Sequence, residues 1–415
     1  QPLISVVMPV YNPKPEWLVE AIESVRNQIY PRWELCIADD ASTNPTVHKI
    51  LADYQAKDTR INVVFRERNG HISAASNSAL EIARGEWMAL MDHDDVLAEH
   101  ALFWVAETIN RHPEAGLIYS DEDKITETGE RLDPYFKCDW NPDLFCSHNM
   151  ISHLGVYRTR LVIDVNGFRK GFEGAQDYDL ALRCVERLQS EQIVHIPRVL
   201  YHWRVHAEST AMTADSKPYA MLAGERAINE HFVRTGAHGR VTFVGHSYQP
   251  TYDLPDPLPL VSVIIPTRNG LTLLQQCIES IFNKTKYNNY EIIVVDNGSD
   301  ESATLVYLED LSQNPKVRVI LDDGPFNYSR LNNKAVDLAK GDVIALLNND
   351  IEVISPGWLG VMVSHAMRPE IGAVGAKLYY PNKSLQHGGV ILGIKGVANH
   401  SHLNFNQASP GYCNR

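Results

Sequence analysis

Asp92, Asp94 and Asp95 place three carboxylates within four residues, directly after the apolar run at residues 87–91. Their mutual repulsion is costly unless a cation neutralises it, and hard divalent ions such as Mg²⁺ or Mn²⁺ favour oxygen ligands of this kind. The competing reading is an N-cap for a helix over residues 99–110, a role that one aspartate fills alone. Asp39, Asp40 and Ser42 follow an apolar run in the same way. A carboxylate there can accept the ring N–H of a pyrimidine and a ribose hydroxyl, or it can close an Asx-type turn. Arg68, Asn69, Gly70 and Asn77 accompany them further along the chain.

These polar groups need a common platform. Residues 4–8 are apolar and closed by Pro9, and Trp17, Ala21, Ile22 and Val25 recur at helical spacing, so the chain opens as strand, loop and helix. The pattern then predicts a strand at 33–38, a helix at 45–54, a strand at 61–65, a helix at 72–83 and a strand at 87–91. Strands alternating with helices make a mostly parallel sheet, which binds ligands beyond the carboxyl ends of its strands. Asn12, Asp39, Asp40 and residues 92–95 all fall there. After Tyr119 the segment SDEDKITETGERLDPYFKCDW is expected to be loop, before helices over 177–188 and 219–233.

The chain then repeats itself. SVVMPVYN at residues 5–12 returns as SVIIPTRN at 262–269, and ADDAS around Asp39 returns as VDNGS around Asp296, both displaced by 257 positions. Two like domains are therefore expected at 1–247 and 260–415, joined by a linker at 248–259 rich in proline and aspartate. Pro266, Thr267, Asn269, Asp296, Asn297, Ser299, Asn332 and Asp350 match the first copy. Asp350 stands opposite Asp94, but Asn348 replaces Asp92, which weakens metal binding without excluding it. Arg415 corresponds to about Arg158, ahead of any counterpart of residues 177 or 202, so the second copy is expected to be incomplete at its C-terminus. Either the natural chain continues or this half is a binding or structural remnant, and the first residue, Gln1 rather than methionine, favours a trimmed chain. LQHGGVILG and the pair His400 and His402 lie beyond the shared pattern.

Bulk properties narrow the classes. A length of 415 residues exceeds one ordinary hydrophobic core. A hydrophobic content of 44% with 21% charged residues is that of a soluble globular protein, and no run of about 18 or more apolar residues could span a bilayer. The net charge of −13 argues against a nucleic-acid partner, and an anionic ligand would need a cation beside it. Six cysteines without CxxC spacing fit neither a zinc site nor a disulfide framework, so a reducing cytosol is the simplest compartment.

The series PVYN, DDAS, RNG with Asn77, ARGEW before an apolar strand, and DHDD resembles the family 2 inverting glycosyltransferases, over nearly all of residues 3–235. The resemblance implies an α/β fold of two tandem GT-A domains, Rossmann-like with mostly parallel sheets. It implies a nucleotide-diphosphate-sugar donor, held near Pro9, Tyr11, Asp39, Asp40, Arg68, Asn77 and Asp92, with Asp94 on a Mn²⁺ or Mg²⁺ ion that bridges the diphosphate. FEGAQDYDLALR at 172–183 looks like the motif carrying the family's catalytic base, which falls on Asp177, with Gln176 where many members have Glu and Asp179 as the other candidate. Read from the residues alone, Asp177 could also be an N-cap. YHWRVHAEST at 201–210 resembles the loop that folds over the diphosphate. There His202 could ligate the metal, and Arg204 or His206 could offset phosphate charge, although an isolated histidine is usually a surface residue.

A nucleotidyltransferase would need a Gly-rich loop with a basic residue after the first strand, and PVYNPKPEW has none. GxGxxG is missing as well, which excludes a dinucleotide oxidoreductase. The non-catalytic alternative is a scaffold that binds nucleotide sugars or carbohydrate. Tandem domains of this type resemble enzymes that build bacterial surface polysaccharides such as O-antigen or capsule, which implies a UDP- or dTDP-sugar donor and an oligosaccharide or lipid-linked glycan acceptor. That acceptor would place a cytoplasmic enzyme peripherally at the inner membrane face. Sugar contacts are expected from loops around Asp121, Glu122 and Asp123.

Overall fold

A computed structural model of the chain describes residues 1–206, 218–393 and 396–412. It divides into two compact units, Gln1–Pro250 with the residues from Pro410 onward, and Thr251–Ser409. Among the described residues no helix is long and apolar enough to cross a membrane.

In the first unit β1 (Ile4–Val10) and β2 (Trp33–Asp39) are buried almost throughout, as strands covered on both faces must be. Helix α1 (Pro15–Arg26) turns Trp17, Leu18, Ala21, Ile22 and Val25 onto them. Helix α2 (Pro45–Lys57), β3 (Ile61–Phe65), α3 (His71–Glu81) and β4 (Trp87–Leu90) complete a parallel set ordered β3-β2-β1-β4, in which Ile4 lies opposite both Trp33 and Trp87. The expected α/β series is present.

Beyond β4 the sheet becomes mixed. It continues through β5 (Val96–Leu97), α4 (Ala101–Arg111), β6 (Leu117–Ile125), β7 (Arg131–Tyr135), α5 (Pro142–Phe145), β8 (Gly155–Arg158), α6 (Thr159–Asp164), α7 (Gln176–Val185) and β9 (Ile193–Arg204). Strand β8 runs antiparallel to β4 and β6, whereas β9 is parallel to β6. Strands β6 and β7 correct the expected loop, and Asp121, Glu122 and Asp123 lie buried in β6. Each has a partner: His195 at 2.8 Å from Asp121, Lys137 at 3.1 Å from Glu122 and Arg131 at 2.5 Å from Asp123. Helix α8 (Pro218–Thr235) is followed by a hairpin of β10 (Gly239–Val244) and β11 (Ser247–Tyr252), so the start of the expected linker is instead a strand.

The second unit repeats the parallel set. Strands β12 (Val261–Thr267), β13 (Tyr290–Asp296), β14 (Val317–Leu321) and β15 (Val343–Leu346) are ordered β14-β13-β12-β15, connected by α9 (Leu271–Lys284), α10 (Ser302–Ser312) and α11 (Tyr328–Val336). Val261 faces Tyr290 and Val343, which repeats the register of Ile4.

A side-chain brace also recurs in each unit. Ser5 Oγ donates to Glu34 Oε1 at 2.6 Å and accepts the Gly85 N–H at 2.8 Å. Ser262 Oγ donates to Glu291 Oε1 at 2.7 Å and accepts the Gly341 N–H at 2.9 Å. A Cβ on Gly85 would lie 2.7 Å from Leu3 O, and one on Gly341 would lie 2.7 Å from Leu260 O. Because backbone must give way, Gly85→Ala and Gly341→Ala should each destabilise their own unit by about 1–3 kcal/mol, an overpacking cost. Gly372→Ala, with no atom within 4 Å, should be near neutral in the same urea titrations.

Candidate active site

The loops after β1 and β2 are clasped before any ligand arrives. Asn12, at φ 44°, accepts the Thr43 N–H at 2.8 Å through Oδ1, and its own N–H donates to Ser42 Oγ at 2.9 Å. Asn269, at φ 52°, repeats this with Asp300 N at 3.0 Å and Ser299 Oγ at 2.7 Å.

Beside the clasp in the first unit opens a pocket of about 820 Å³. Pro9, Tyr11, Asp40, Asn69, Asp92 and Asp94 line it from the carboxyl ends of the parallel strands. Asn149, His153, Asp177, Trp203, His206 and Tyr248 line it from the mixed half. No lysine or arginine is among the described lining residues.

The acidic triplet is divided between scaffold and pocket. Asp95 is buried, accepting the Tyr201 hydroxyl at 2.6 Å and the Arg204 N–H at 2.7 Å. Burial, then the charges of Asp94 and Asp92, hold its carboxyl well above the usual carboxylate range. Asp92 and Asp94 remain in the pocket, with Asp92 Oδ2 3.8 Å from His153 Nε2 and Asp94 Oδ2 3.1 Å from His206 Nε2. Asp92, Asp95 and His153 also bring ligand atoms within 4.8 Å of one another, but both Asp95 oxygens are already bonded. Asp94 and His206 form a separate carboxylate–imidazole pair among the lining residues.

Two expected placements after residue 200 are corrected by strand alternation. Side chains along β9 point to opposite faces, so Tyr201 and Trp203 turn toward His153, with ring centroids at 4.5 and 5.4 Å. His202 and Arg204 turn away. His202 Nδ1 lies 2.6 Å from Asp123 Oδ1, and burial, which outweighs that carboxylate, lowers its pKa below the usual histidine value. Arg204 Nε donates to Asp94 O at 2.6 Å and Nη2 to Glu20 Oε2 at 2.5 Å, a buttress beneath the triplet. His206, past the end of the strand, is the histidine that reaches Asp94, and residues 207–210 of the expected loop lie outside the described residues.

Other expected donor-side residues are redistributed. Arg68 is exposed and absent from the lining, and Arg66 Nε pairs with Asp40 Oδ1 at 2.8 Å. Asp39 is fully buried behind Asp40, accepting the Ser42 N–H at 3.2 Å with His48 Nε2 at 3.1 Å. Asn77 bonds both backbone groups of Phe168, at 2.8 and 2.9 Å, and so ties α3 to the chain ahead of α7.

Asp177 faces the pocket, and Asp179 does not. The N-cap of α7 is Ala175, which places Asp177 in the first turn with Oδ2 accepting the Asn149 amide at 2.9 Å. Burial pushes its carboxyl above the usual range. Asp179 has no exposed surface and is held by Arg183 at 2.8 Å and by Arg169. Asn149 and His153 carried no signal in the sequence. Their loop is fastened by buried Lys137, which donates to Ile151 O at 2.7 Å and His153 O at 2.5 Å while paired with Glu122. Burial opposes ionisation of Glu122, but Lys137 and His153 hold its pKa at about 2.

In the second unit Asp296 is buried and accepts Ser299 Oγ at 2.6 Å, Pro266 lies on β12, and Asn348 and Asp350 are exposed. In the sheet of that unit β15 is the last strand in the order among the described residues.

The sequence matches the family described as glycosyl transferase family 2 over residues 5–163 and 262–402. The chain belongs to glycosyl transferase family 2. It is 54% identical to protein y4gI of Sinorhizobium fredii over 415 residues, 99% of this chain and 46% of that protein. It is 38% identical to the O-antigen biosynthesis protein RfbC of Myxococcus xanthus over 401 residues, 96% of this chain and 31% of that one. The chain thus spans less than half the length of these curated relatives. A solved structure, S. aureus TarS 1–349 with UDP-GlcNAc, superposes with a TM-score of 0.44 at 21% identity, over 56% of this chain and 72% of that one. The family 2 match includes Asp40, Asp92, Asp94 and His153 but stops before Asp177, His206 and Tyr248. Asp179→Asn should cost about 3–5 kcal/mol in denaturant titration, because it leaves Arg183 buried without its charge partner.

Proposed function

We propose that the first unit transfers a sugar, with inversion at the anomeric carbon, from a UDP- or dTDP-sugar to a hydroxyl of a growing bacterial surface polysaccharide. The observation that carries the reading is one pocket lined by Asp92 and Asp94 from the ends of the parallel strands and by His206 and Asp177 from the mixed half, in a chain of glycosyl transferase family 2. The 38% identity to an O-antigen biosynthesis protein supports the polymer class. A lipid-linked acceptor would bring the enzyme to the cytoplasmic face of the inner membrane.

A diphosphate seated beside the carboxylates of Asp92 and Asp94 needs a cation between them. Asp94 and His206, with Asp92, have the donor chemistry for Mn²⁺ or Mg²⁺, and such an ion when bound offsets the charge of the diphosphate. Pro9, Tyr11 and Asp40 shape the nucleotide end. Asp177 accepts the proton of the acceptor hydroxyl as that oxygen attacks, and Asn149 fixes the orientation of its carboxylate. A pKa raised by burial brings the base closer to the working pH than a free aspartate at about 3.9.

Asp177→Asn should lower turnover by about 10²–10⁴-fold with nucleotide affinity retained, the range typical of losing a general base. Loss of nucleotide binding in that variant would remove Asp177 from the role. Protonated Asp177 cannot accept a proton, so the rate should fall as pH drops through its raised pKa, and the acid limb of kcat/KM should lie above the free-aspartate value and vanish in Asp177→Asn. In calorimetric titration with UDP and dTDP, Mn²⁺-dependent binding should be lost with Asp94→Ala and His206→Ala but kept with His202→Gln. Asp350→Ala tests the second unit, with Pro266, Asp296, Asn348 and Asp350 as its candidates. A second binding event lost only there would assign that unit a donor site of its own.

A further inference from the structure

One wall of the pocket is built outside both stretches that match family 2. Tyr219, Ala220 and Met221 reach it from the first turn of α8, and Tyr248 from β11. This wall is tied to the base by a continuous set of contacts. The Tyr248 N–H donates to Ser147 O at 2.9 Å, two residues before Asn149, whose amide holds Asp177. The Tyr248 ring lies 6.1 Å from the ring of Tyr178, the neighbour of Asp177. Burial first, then the carboxylates of Asp177 and Glu225, push the Tyr248 hydroxyl up to about 12.

The wall is also rigid. Glu225 accepts the Phe243 N–H at 2.7 Å, and Asn229 exchanges two hydrogen bonds with the Val241 backbone, both at 2.9 Å, so side chains of α8 pin the hairpin. Phe243 packs edge-on against Tyr248 at 5.3 Å. Gly224 opens the space for that ring, since a Cβ there would lie 1.9 Å from the Tyr248 hydroxyl oxygen.

We propose that the β10–β11 hairpin and the first turn of α8 form the acceptor subsite, in which a neutral saccharide ring stacks on Tyr248 and turns a hydroxyl toward Asp177. The inference rests on the function proposed above. In a single displacement the attacking oxygen and the leaving diphosphate lie on opposite sides of the anomeric carbon, so groups packed around the base face the acceptor. An aromatic ring presents an apolar face with a polar rim, which suits the C–H face and hydroxyl edge of a sugar. The carboxylates of Glu173 and Asp177 in the lining disfavour an anionic ring at this wall.

The test uses the full chain with UDP and Mn²⁺ and a panel of methyl glycosides of glucose, galactose, N-acetylglucosamine and rhamnose, read by saturation-transfer NMR and calorimetry. Tyr248→Ala should weaken saccharide binding by about 10-fold while UDP affinity stays within about twofold, and Tyr248→Phe should retain both. Gly224→Ala, which drives the ring out, should reproduce Tyr248→Ala, whereas Tyr11→Ala should affect UDP and spare the saccharide. Saccharide binding indifferent to Tyr248→Ala, parallel loss of UDP, or no saccharide binding by a chain that binds UDP would each overturn the subsite. A wild-type chain that binds no UDP with Mn²⁺ would instead overturn the donor reading, and the subsite would then stand or fall on whether saccharide binding follows Tyr248.

Discussion

A buried carboxylate without a partner costs several kcal/mol, and this constraint sorts the acidic residues of the first unit. Asp95, Asp121, Glu122, Asp123 and Asp179 are buried, and each is matched to a named donor or cation in the scaffold. Asp92, Asp94 and Asp177 stay in the pocket, where histidines and an amide accompany them in place of lysine or arginine. Apart from Asp40, which pairs with Arg66 and also lines the pocket, scaffold and pocket-lining aspartates are distinguished by available partners rather than by local sequence. The same partners give the scaffold its stiffness, since Arg204 reaches from β9 to the backbone of Asp94 and Lys137 from the far loop to Glu122 and His153.

The repeat preserves a different set of contacts from those that face the pocket. Ser5 with Glu34 and Gly85, and Asn12 with Ser42, recur in the second unit as Ser262 with Glu291 and Gly341, and Asn269 with Ser299. These are devices that set the spacing of parallel strands and shape the loops at their carboxyl ends. They make a platform suited to a ligand but do not choose the chemistry performed on it. On the function proposed above, that choice falls to the groups brought in from beyond β4.

This division explains how much was legible in the sequence. The parallel strands and their helices follow from hydrophobic period, and each boundary fell within a few residues because local patterning decides it. The mixed half was opaque for a physical reason. Residues 120–125 look like a polar loop, yet they form a strand in which His195, Lys137 and Arg131 hydrogen-bond or pair with the three carboxylates. His202, Arg204 and His206 cluster within five residues, but only the phase of β9 decides which side chains face Asp94. Arg68 and Asn77 stood in motifs that do build the loop, while the neighbouring Arg66 makes the ion pair and Asn77 serves the backbone. Asn149, His153 and Tyr248 belong to no motif, and only tertiary contact identifies them.

Loops grafted onto a stiff platform are where specificity is expected to reside. Here one flank of the pocket is a hairpin locked to a helix by Glu225 and Asn229, so its aromatic face is held in place before a ligand arrives. Preorganisation of this kind lowers the ordering cost of binding. If the platform sets the donor and the hairpin sets the acceptor, two enzymes could share every residue from β1 to β4 and still build different polymers. The segment between the two matched stretches, residues 164–261, is then where differences in product should be sought.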